Sequence, residues 1–179
     1  MKRRSFLAST LGLCATPLLA RAAGTGGRVV VVGGGWGGLA AARHLREMAP
    51  QLDVVLIDRQ PEFWSQPLSN RWLVGLARSE WLKHDCRQAA QRFGYRFVAA
   101  EVGGIDRSSR EAETSAGKFA YDWLVLAPGI REDFSAWFGV DRDSAAYTRQ
   151  HFPSAFPAGR DHLALKAKLE SFKGGDLVM

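Results

Sequence analysis

Cysteine is scarce in this sequence, with only Cys14 and Cys86 among 179 residues. Two cysteines can form at most one disulfide, so a fold held together by a disulfide framework is excluded. Histidine is almost as rare, and neither His44 nor His84 has a second ligand at the spacing that metal sites show. The sequence therefore predicts no metal site.

An excess of basic charge is also missing from most of the chain. The formal net charge is +6, but four of the 24 basic residues, Lys2, Arg3, Arg4 and Arg21, lie in the first 22 residues, where no acidic residue occurs. The other 20 basic residues are balanced by 18 acidic ones. A nucleic-acid-binding protein would show a clear basic footprint, so we expect no nucleic-acid partner.

The N-terminal stretch MKRRSFLASTLGLCATPLLARAA predicts a signal peptide over residues 1–22. It has a charged start, an apolar middle and small residues at Ala20 and Ala22, which is the order of features in signal peptides. The apolar middle is short and is interrupted by polar residues, so we expect no stable membrane span. Removal of this segment would take Cys14 with it and leave Cys86 as the single cysteine.

The pair Arg3-Arg4, followed by Ser5-Phe6-Leu7, resembles the twin-arginine export signal, which sends proteins across a membrane already folded. The resemblance implies a periplasmic protein. Two alternatives stay open: an ordinary secretory signal that happens to contain two arginines, and a retained membrane anchor.

Cys86 falls on a helix that we predict over residues 80–93, with Gly94 as its stop. Leu82, Cys86, Ala90 and Phe93 recur at three- and four-residue spacing, which indicates an apolar stripe that faces the core. A reactive thiol would need exposure and a nearby positive group. We therefore interpret Cys86 as a core residue and not as a nucleophile.

The chain after residue 27 begins with one predicted βαβ unit. Arg28–Val32 is an apolar run typical of a buried parallel strand, residues 38–49 show helical spacing and end before Pro50, and residues 52–58 form a second buried strand. In such a unit the helix packs on the sheet with right-handed connectivity. We further predict antiparallel strands within 95–121, a buried strand at 123–127, loop-like chain at 130–158, a helix over 163–172 and another strand that begins after Gly174-Gly175.

Gly33, Gly35 and Gly38 form the pattern GxGxxG between the first strand and the helix. The first glycine permits a tight turn, the second lets the backbone approach a pyrophosphate, and the third lets the helix pack closely. The phosphates then lie at the helix N-terminus, where free N–H groups and the dipole favour anions. Asp58 ends the second strand where ribose hydroxyls would lie, so the pattern predicts a dinucleotide site. We assign to Trp36, at a variable loop position, no role beyond partial cover.

Export favours FAD over NAD as the dinucleotide. A nicotinamide cofactor must diffuse in and out and has no obvious pool outside the cytoplasm, whereas a tightly held flavin can be loaded before folded export. The antiparallel strands predicted before WLVLAPG point the same way, because a plain nicotinamide-binding domain lacks them.

Four stretches, VVVVGGGWGGLAAARHL, VVLID, PLSN and YDWLVLAPGI, together resemble the flavoprotein subunit of flavocytochrome c sulfide dehydrogenases, within the FAD/NAD-linked disulfide reductase superfamily. The resemblance covers residues 28–179. It implies that the glycine loop holds the pyrophosphate of FAD, Asp58 the adenosine ribose and the Val102 backbone the adenine. It also implies that residues 127–129 contact the middle of the cofactor and that Ser69 and Asn70 lie near the flavin ring. The complete predicted cofactor-binding set is Gly33, Gly34, Gly35, Gly37, Gly38, Asp58, Arg59, Ser69, Asn70, Val102, Ala127, Pro128 and Gly129.

The sequence departs from that family in two ways. Members can carry a cysteine, just before the motif YLSN, that bonds covalently to the flavin; the matching position here is Gln66, so we expect non-covalent FAD. The family's redox-active cysteine pair would lie beyond Met179, so this sequence leaves the catalytic residues unknown.

These observations predict a three-layer α/β fold. A Rossmann-like FAD-binding domain with a parallel sheet and an antiparallel β-meander would cover residues 28–158, and residues 159–179 would begin a second dinucleotide-binding domain.

For the full-length form, the resemblance implies oxidation of sulfide, a small sulfur substrate, with electrons passed to a c-type cytochrome subunit. The fragment alone should be inactive. The alternatives are another FAD-dependent dehydrogenase of the superfamily, such as a sulfide:quinone type, and a truncated domain without catalysis.

Replacing both Arg3 and Arg4 by lysine should block export, because the paired arginines are what the folded-protein route recognises. Cell fractionation and mass spectrometry should find the wild-type chain outside the cytoplasm without residues 1–22, and the double variant inside. Arg21→Lys, which keeps the pair, is the matched control and should be exported. Normal export of the double variant would assign the segment to the unfolded-chain route instead.

Overall fold

The computed structural model describes residues 26–130, 132–155 and 160–176. The predicted signal peptide, and residues 177–179 of the strand predicted after Gly175, lie outside them. In chain order the strands and helices are β1 (Arg28–Val32), α1 (Trp36–Met48), β2 (Asp53–Asp58), β3 (Glu62–Trp64), α2 (Ser69–Leu73), β4 (Lys83–Asp85), α3 (Cys86–Phe93), β5 (Arg96–Ala99), β6 (Val102–Asp106), β7 (Glu111–Thr114), β8 (Gly117–Ala120), β9 (Trp123–Leu126), α4 (Ser135–Phe138), α5 (Arg142–His151) and α6 (Arg160–Ser171). A 3-10 turn at Ser79–Trp81 precedes β4.

A parallel sheet with the strand order β5-β2-β1-β9 forms the centre of the fold. β1 pairs along its length with β2, from Arg28 opposite Asp53 to Val32 opposite Ile57, and on its other side with β9. Valine, leucine and isoleucine dominate β1 and β2, as expected for strands that are covered on both faces. The predicted unit β1-α1-β2 is confirmed.

One face of the sheet packs against helices. Val29, Val31 and Leu56 point to this face, where they are buried with Ala42 of α1 and Ala90 of α3. Side chains alternate between the two faces of a strand, so every second residue of β1 and β2 contributes to this layer. Burial of each such aliphatic side chain contributes about 1.5–3 kcal/mol to folding.

The other face of the sheet packs against a β-meander. Val30, Val55 and Ile57 point to it and are buried with Ala112 of β7 and Phe119 of β8. β6, β7 and β8 form an antiparallel three-stranded sheet in sequence order. Helices, parallel sheet and meander are thus three layers, and the predicted α/β fold is confirmed.

The helix predicted at 80–93 is wrong over its first half. Residues 79–85 form the 3-10 turn and β4, which pairs with β3 as a separate antiparallel ribbon, and the helix begins only at Cys86. The Asp85 carboxylate caps α3 by accepting hydrogen bonds from the N–H groups of Arg87 and Gln88. Leu82 is buried, as the apolar stripe predicted, but it lies before the helix begins. Gly94 ends α3 in the left-handed conformation, φ +74°, as expected.

Two strand predictions need correction. The strand predicted as buried at 123–127 forms β9, but Trp123 is 54% and Leu126 61% exposed, because β9 has β1 as its single partner among the described strands. Within 95–121, three strands are antiparallel as predicted, whereas β5 pairs parallel with β2. β5 therefore extends the central sheet and is not part of the meander.

The prediction of loop-like chain at 130–158 is also wrong, because α4 and α5 lie there. Asp141 begins α5: its side chain accepts hydrogen bonds from the N–H groups of Asp143 and Ser144. None of the residues of α5 is buried. A helix without a buried face needs no apolar periodicity, so the signal that would predict it is missing from the sequence.

Helix α6 closes over the C-terminal end of α2. The Lys166 ammonium group donates hydrogen bonds to the backbone oxygens of Trp72, at 3.2 Å, and Leu73, at 3.4 Å. The same group lies 5.5 Å from the centroid of the Trp72 ring, and buried His162 lies against that ring too. A positive group at a helix C-terminus satisfies carbonyls that have no partner within the helix. The proposed start of a second domain at residue 159 stays a prediction.

Cys86 should not react with iodoacetamide at pH 8 while the chain is folded. Its side chain is 1% exposed. Burial, with a smaller contribution from the carboxylates of Asp58 and Asp85, raises the pKa of the thiol to about 11. The reactive thiolate is then about one part in a thousand at pH 8 and increases only as the pH approaches the pKa.

Mass spectrometry of a Cys14→Ser chain, labelled with and without urea, measures this protection. Labelling should appear in urea alone. Rapid labelling of the folded chain at pH 8 would show that the thiol is accessible.

Candidate cofactor site

The glycine loop and the end of β9 meet at one edge of the central sheet. β1, β2 and β9 are parallel, so their carboxyl ends lie together at that edge. The Gly33 N–H donates to the Ile57 oxygen and the Ala127 N–H donates to the Val32 oxygen, both at 2.8 Å. Ligands of open α/β sheets bind outside the carboxyl ends of the strands, which makes this edge the candidate site.

Gly33 and Gly38 bring β1, α1 and β9 together. Gly33 has φ +107°, and a Cβ atom there would lie 2.0 Å from the Ala127 oxygen. A Cβ atom on Gly38 would lie 1.7 Å from the Gly33 oxygen. Only glycine fits at these two positions, so both are needed for the turn and for helix packing.

Gly35 differs from its neighbours because the space beside it is open. Apart from the adjacent residues Gly34 and Trp36, no atom of the described chain lies within 4 Å of the place that a Cβ atom on Gly35 would occupy. Gly35 is the N-cap of α1, and the first turn of α1 contains no acidic residue. α3 and α5, by contrast, begin on aspartate side chains that accept their first N–H groups. The first turn of α1 is therefore available to an anion such as a diphosphate.

Asp58 connects the end of β2 to the glycine loop. Its carboxylate accepts hydrogen bonds from the Gly34 N–H at 2.5 Å and from the Gln60 N–H at 2.7 Å. A Cβ atom on Gly34 would lie 3.0 Å from the Cβ of Asp58, so the loop passes directly over this side chain. The bond to Gly34 was not anticipated from the sequence, since it depends on how the loop turns after β1.

The remaining predicted residues lie on several different elements of the fold. Val102 begins β6 and packs against the core cluster of the meander. Ser69 is buried at the start of α2, and Asn70 beside it is exposed. Ala127, Pro128 and Gly129 follow β9, and a Cβ atom on Gly37 would be 3.5 Å from the Ala127 Cβ. Their assignment to the cofactor stays a prediction.

An open cleft of about 1460 Å³ extends from the same edge. Arg59, which follows Asp58, lines it on one side, and Ile130, which follows Gly129, lines it on another. α4, α5 and α6 supply the other walls, including Asp141 and Arg149. The cleft is larger than the roughly 300–1,000 Å³ of sites for drug-sized ligands, so an extended molecule could lie in it. The sequence analysis did not predict α4 and α5. The capping side chain of Asp141 was the available signal for α5, whereas the N-cap residue of α4 is Phe134, which provides no side-chain cap.

Three aromatic rings stand beside the glycine loop. Trp36 meets Phe63 edge to face, with 5.3 Å between ring centroids, and Phe63 stacks on His84 at 6.3 Å. Sequence reasoning did not single out Phe63, and it placed His84 on a helix that is here β4.

The described ranges contain no group of three or more His, Cys, Asp or Glu side chains that could hold a metal ion. No helix among the described residues is long and apolar enough to cross a membrane.

The parallel sheet, the glycine loop that leads into α1 and the carboxylate at the end of β2 define a dinucleotide-binding α/β protein. Residues 27–152 match the pyridine nucleotide-disulphide oxidoreductase family, and the chain belongs to this family. Members of the family bind FAD, and the relatives of this chain are FAD-dependent oxidoreductases.

Two curated relatives and one solved structure show how far the similarity reaches. The sulfide-quinone reductase of Aquifex aeolicus (strain VF5) is 31% identical over 124 residues, which are 69% of this chain and 29% of that protein. The type II NADH:quinone oxidoreductase of Staphylococcus haemolyticus (strain JCSC1435) is 28% identical over 116 residues, 64% of this chain and 28% of that protein. The X-ray structure of the sulfide:quinone oxidoreductase from Aquifex aeolicus matches with a TM-score of 0.67 and 29% identity, over 80% of this chain and 31% of that chain.

The chain thus spans less than a third of the length of these relatives. They confirm the disulfide reductase superfamily that the sequence predicted. The narrower resemblance to flavocytochrome c sulfide dehydrogenase is not among these matches.

Gly38→Ala and Gly35→Ala should have opposite effects. Gly38→Ala should lower the free energy of unfolding by at least about 2 kcal/mol, because its Cβ cannot fit against the Gly33 carbonyl. Gly35→Ala should leave the apo chain within about 0.5 kcal/mol of wild type, since its Cβ would contact none of the described residues beyond its chain neighbours. It should nevertheless weaken FAD binding by at least about tenfold if a diphosphate occupies that space.

Urea unfolding of both apo variants and titration with FAD measure these effects. Unchanged FAD affinity in Gly35→Ala would show that the open space beside the loop is not a phosphate site.

Proposed function

We propose that this chain is the N-terminal, FAD-binding part of an exported oxidoreductase that oxidises a small sulfur compound, with sulfide as the first choice. The assignment of FAD as the cofactor rests mainly on the open glycine loop. Gly35 leaves space beside the first turn of α1, whose N–H groups have no acidic side chain to accept them. The residues present therefore fit the diphosphate of a dinucleotide.

FAD supplies, when bound, the capacity to take up two electrons and to pass them on singly. The N–H groups of the α1 first turn would hold its diphosphate. Asp58 would hold the adenosine ribose: each carboxylate oxygen already accepts one backbone N–H, and a carboxylate has about four acceptor positions in total. The bond from Gly34 thus orients the carboxylate and leaves it able to accept ribose hydroxyls.

The other predicted residues would contact the two ends and the middle of the cofactor. In this proposal the backbone of Val102 contacts the adenine, residues 127–129 the middle of FAD, and Ser69 and Asn70 the flavin end. Gln66 precedes this last pair, and its amide side chain cannot form the thioether that a cysteine could. The flavin would therefore be held without a covalent bond.

Two observations support a sulfur substrate. The PLSN stretch, residues 67–70, resembles the flavocytochrome c family, and the Aquifex aeolicus relative is named a sulfide-quinone reductase. The predicted export signal favours a c-type cytochrome subunit as the electron acceptor, because such a partner is also found outside the cytoplasm. A periplasmic location follows from the same signal.

A quinone is the second candidate for the acceptor. Both curated relatives described above are named for quinone reduction. In this case the protein would work at a membrane surface, where quinones are found.

The full-length protein, purified from the periplasmic fraction under anaerobic conditions, tests the proposal. Sulfide should bleach the visible flavin absorbance, and the reduced protein should then reduce cytochrome c faster than a short-chain quinone. NADH in place of sulfide is the control and should bleach nothing. Bleaching by NADH alone would refute sulfur oxidation, and faster reduction of the quinone would establish the second candidate.

A further inference from the structure

Trp36 places a large, exposed aromatic ring directly after the glycine Gly35. Trp36 is the first residue of α1 and follows Gly35 directly, and its side chain is 58% exposed. It belongs to neither of the two core clusters. Aromatic side chains bury about 150–250 Å² each when they pack. An indole ring left largely in water loses most of the hydrophobic stabilisation that such burial provides. The packing of the described core does not explain a tryptophan at this position.

The orientation of the Trp36 ring is nevertheless defined. It meets the Phe63 ring at 83° with 5.3 Å between centroids, and Phe63 stacks on His84 of the neighbouring strand. The ribbon that carries these two residues is closed by the Ser65 N–H, which donates to the Leu82 oxygen at 2.7 Å. The ribbon therefore holds the indole beside the loop without covering it.

The glycine loop lacks positive side chains of its own. Residues 33–38 include no lysine or arginine, so the loop itself offers a diphosphate only backbone N–H groups and the dipole of α1. Hydrogen bonds of this kind become stronger where water is excluded and the local dielectric constant is low. An apolar cover over the loop would supply that condition.

We propose that Trp36 is a cofactor-retaining residue, whose indole ring covers the diphosphate of bound FAD and slows its release. This inference rests on the proposed function, because it takes FAD as the ligand. The indole suits the role: its N–H is a hydrogen-bond donor, which a phosphate oxygen can accept, and its faces are apolar and exclude water. Phe63 acts through Trp36, as the ring that positions it.

The rate of FAD release from the full-length holoprotein tests the inference. Flavin fluorescence rises as FAD leaves after dilution. Trp36→Ala should release FAD about tenfold faster than wild type, which corresponds to a barrier to release lowered by roughly 1.4 kcal/mol. Trp36→Phe, which keeps an apolar ring, should stay within about threefold of wild type, since most of the cover remains.

Trp123→Ala is the matched control. Trp123 is 54% exposed and begins β9 opposite Val29, at the end of the sheet away from the glycine loop, so its removal should not change FAD release. The melting temperature of apo Trp36→Ala provides a second readout and should stay within a few degrees of that of wild type, because the ring is 58% exposed and its loss removes mainly the edge contact with Phe63.

Equal release from wild type and Trp36→Ala overturns the inference, as does a lowered apo melting temperature with unchanged release, which would show a packing role. Release from Trp36→Phe as fast as from Trp36→Ala overturns the covering role of the ring. Each of these results leaves the proposed function standing as long as wild type contains FAD. A wild-type protein without FAD overturns both.

Discussion

The close approach of three backbone segments at Gly33 is the constraint on which this structure depends. The Gly33 carbonyl lies where a Cβ atom on Gly38 would be, and Gly33 itself leaves no space for a side chain against Ala127. One contact thus sets the distances between β1, α1 and β9. It brings the helix close enough to bury the valines of β1, and it directs the first turn of α1 towards the carboxyl edge of the sheet. Packing of the core and shape of the candidate site therefore have the same cause.

The sequence predicted those parts of the fold whose signals are local. The apolar strands β1 and β2, and the glycines between them, can be recognised within 31 residues, Arg28 to Asp58, and their pairing follows from the handedness of a βαβ unit. The start of α3 was misplaced because Leu82 continues its apolar stripe and is buried, although the helix begins only at Cys86. Asp85 followed by Gln88 was the available sign of a helix start. α5 gave no apolar signal at all, since none of its residues is buried.

The residues of the candidate site likewise divide into those with a local sequence signal and those without one. The glycine loop and Asp58 were identifiable because their roles follow from spacing along the chain. The bond from Gly34 to the Asp58 carboxylate and the contact of Trp36 with Phe63 were not, because each depends on how separate segments meet. Arg59 and Ile130 likewise line one cleft only because β2 and β9 end at the same edge. Geometry of this kind is a property of the assembled sheet and cannot be obtained from spacing.

The contact between Lys166 and the end of α2 bears on the order in which the chain folds. α2 has five residues, too few for a helix that is stable alone, and its last carbonyls are satisfied by a side chain 93 and 94 residues further along the chain. During synthesis, which proceeds from the N-terminus, β1, α1 and β2 can form before that lysine exists. The segment that carries Ser69 and Asn70 therefore gains these two contacts only after α6 has been made.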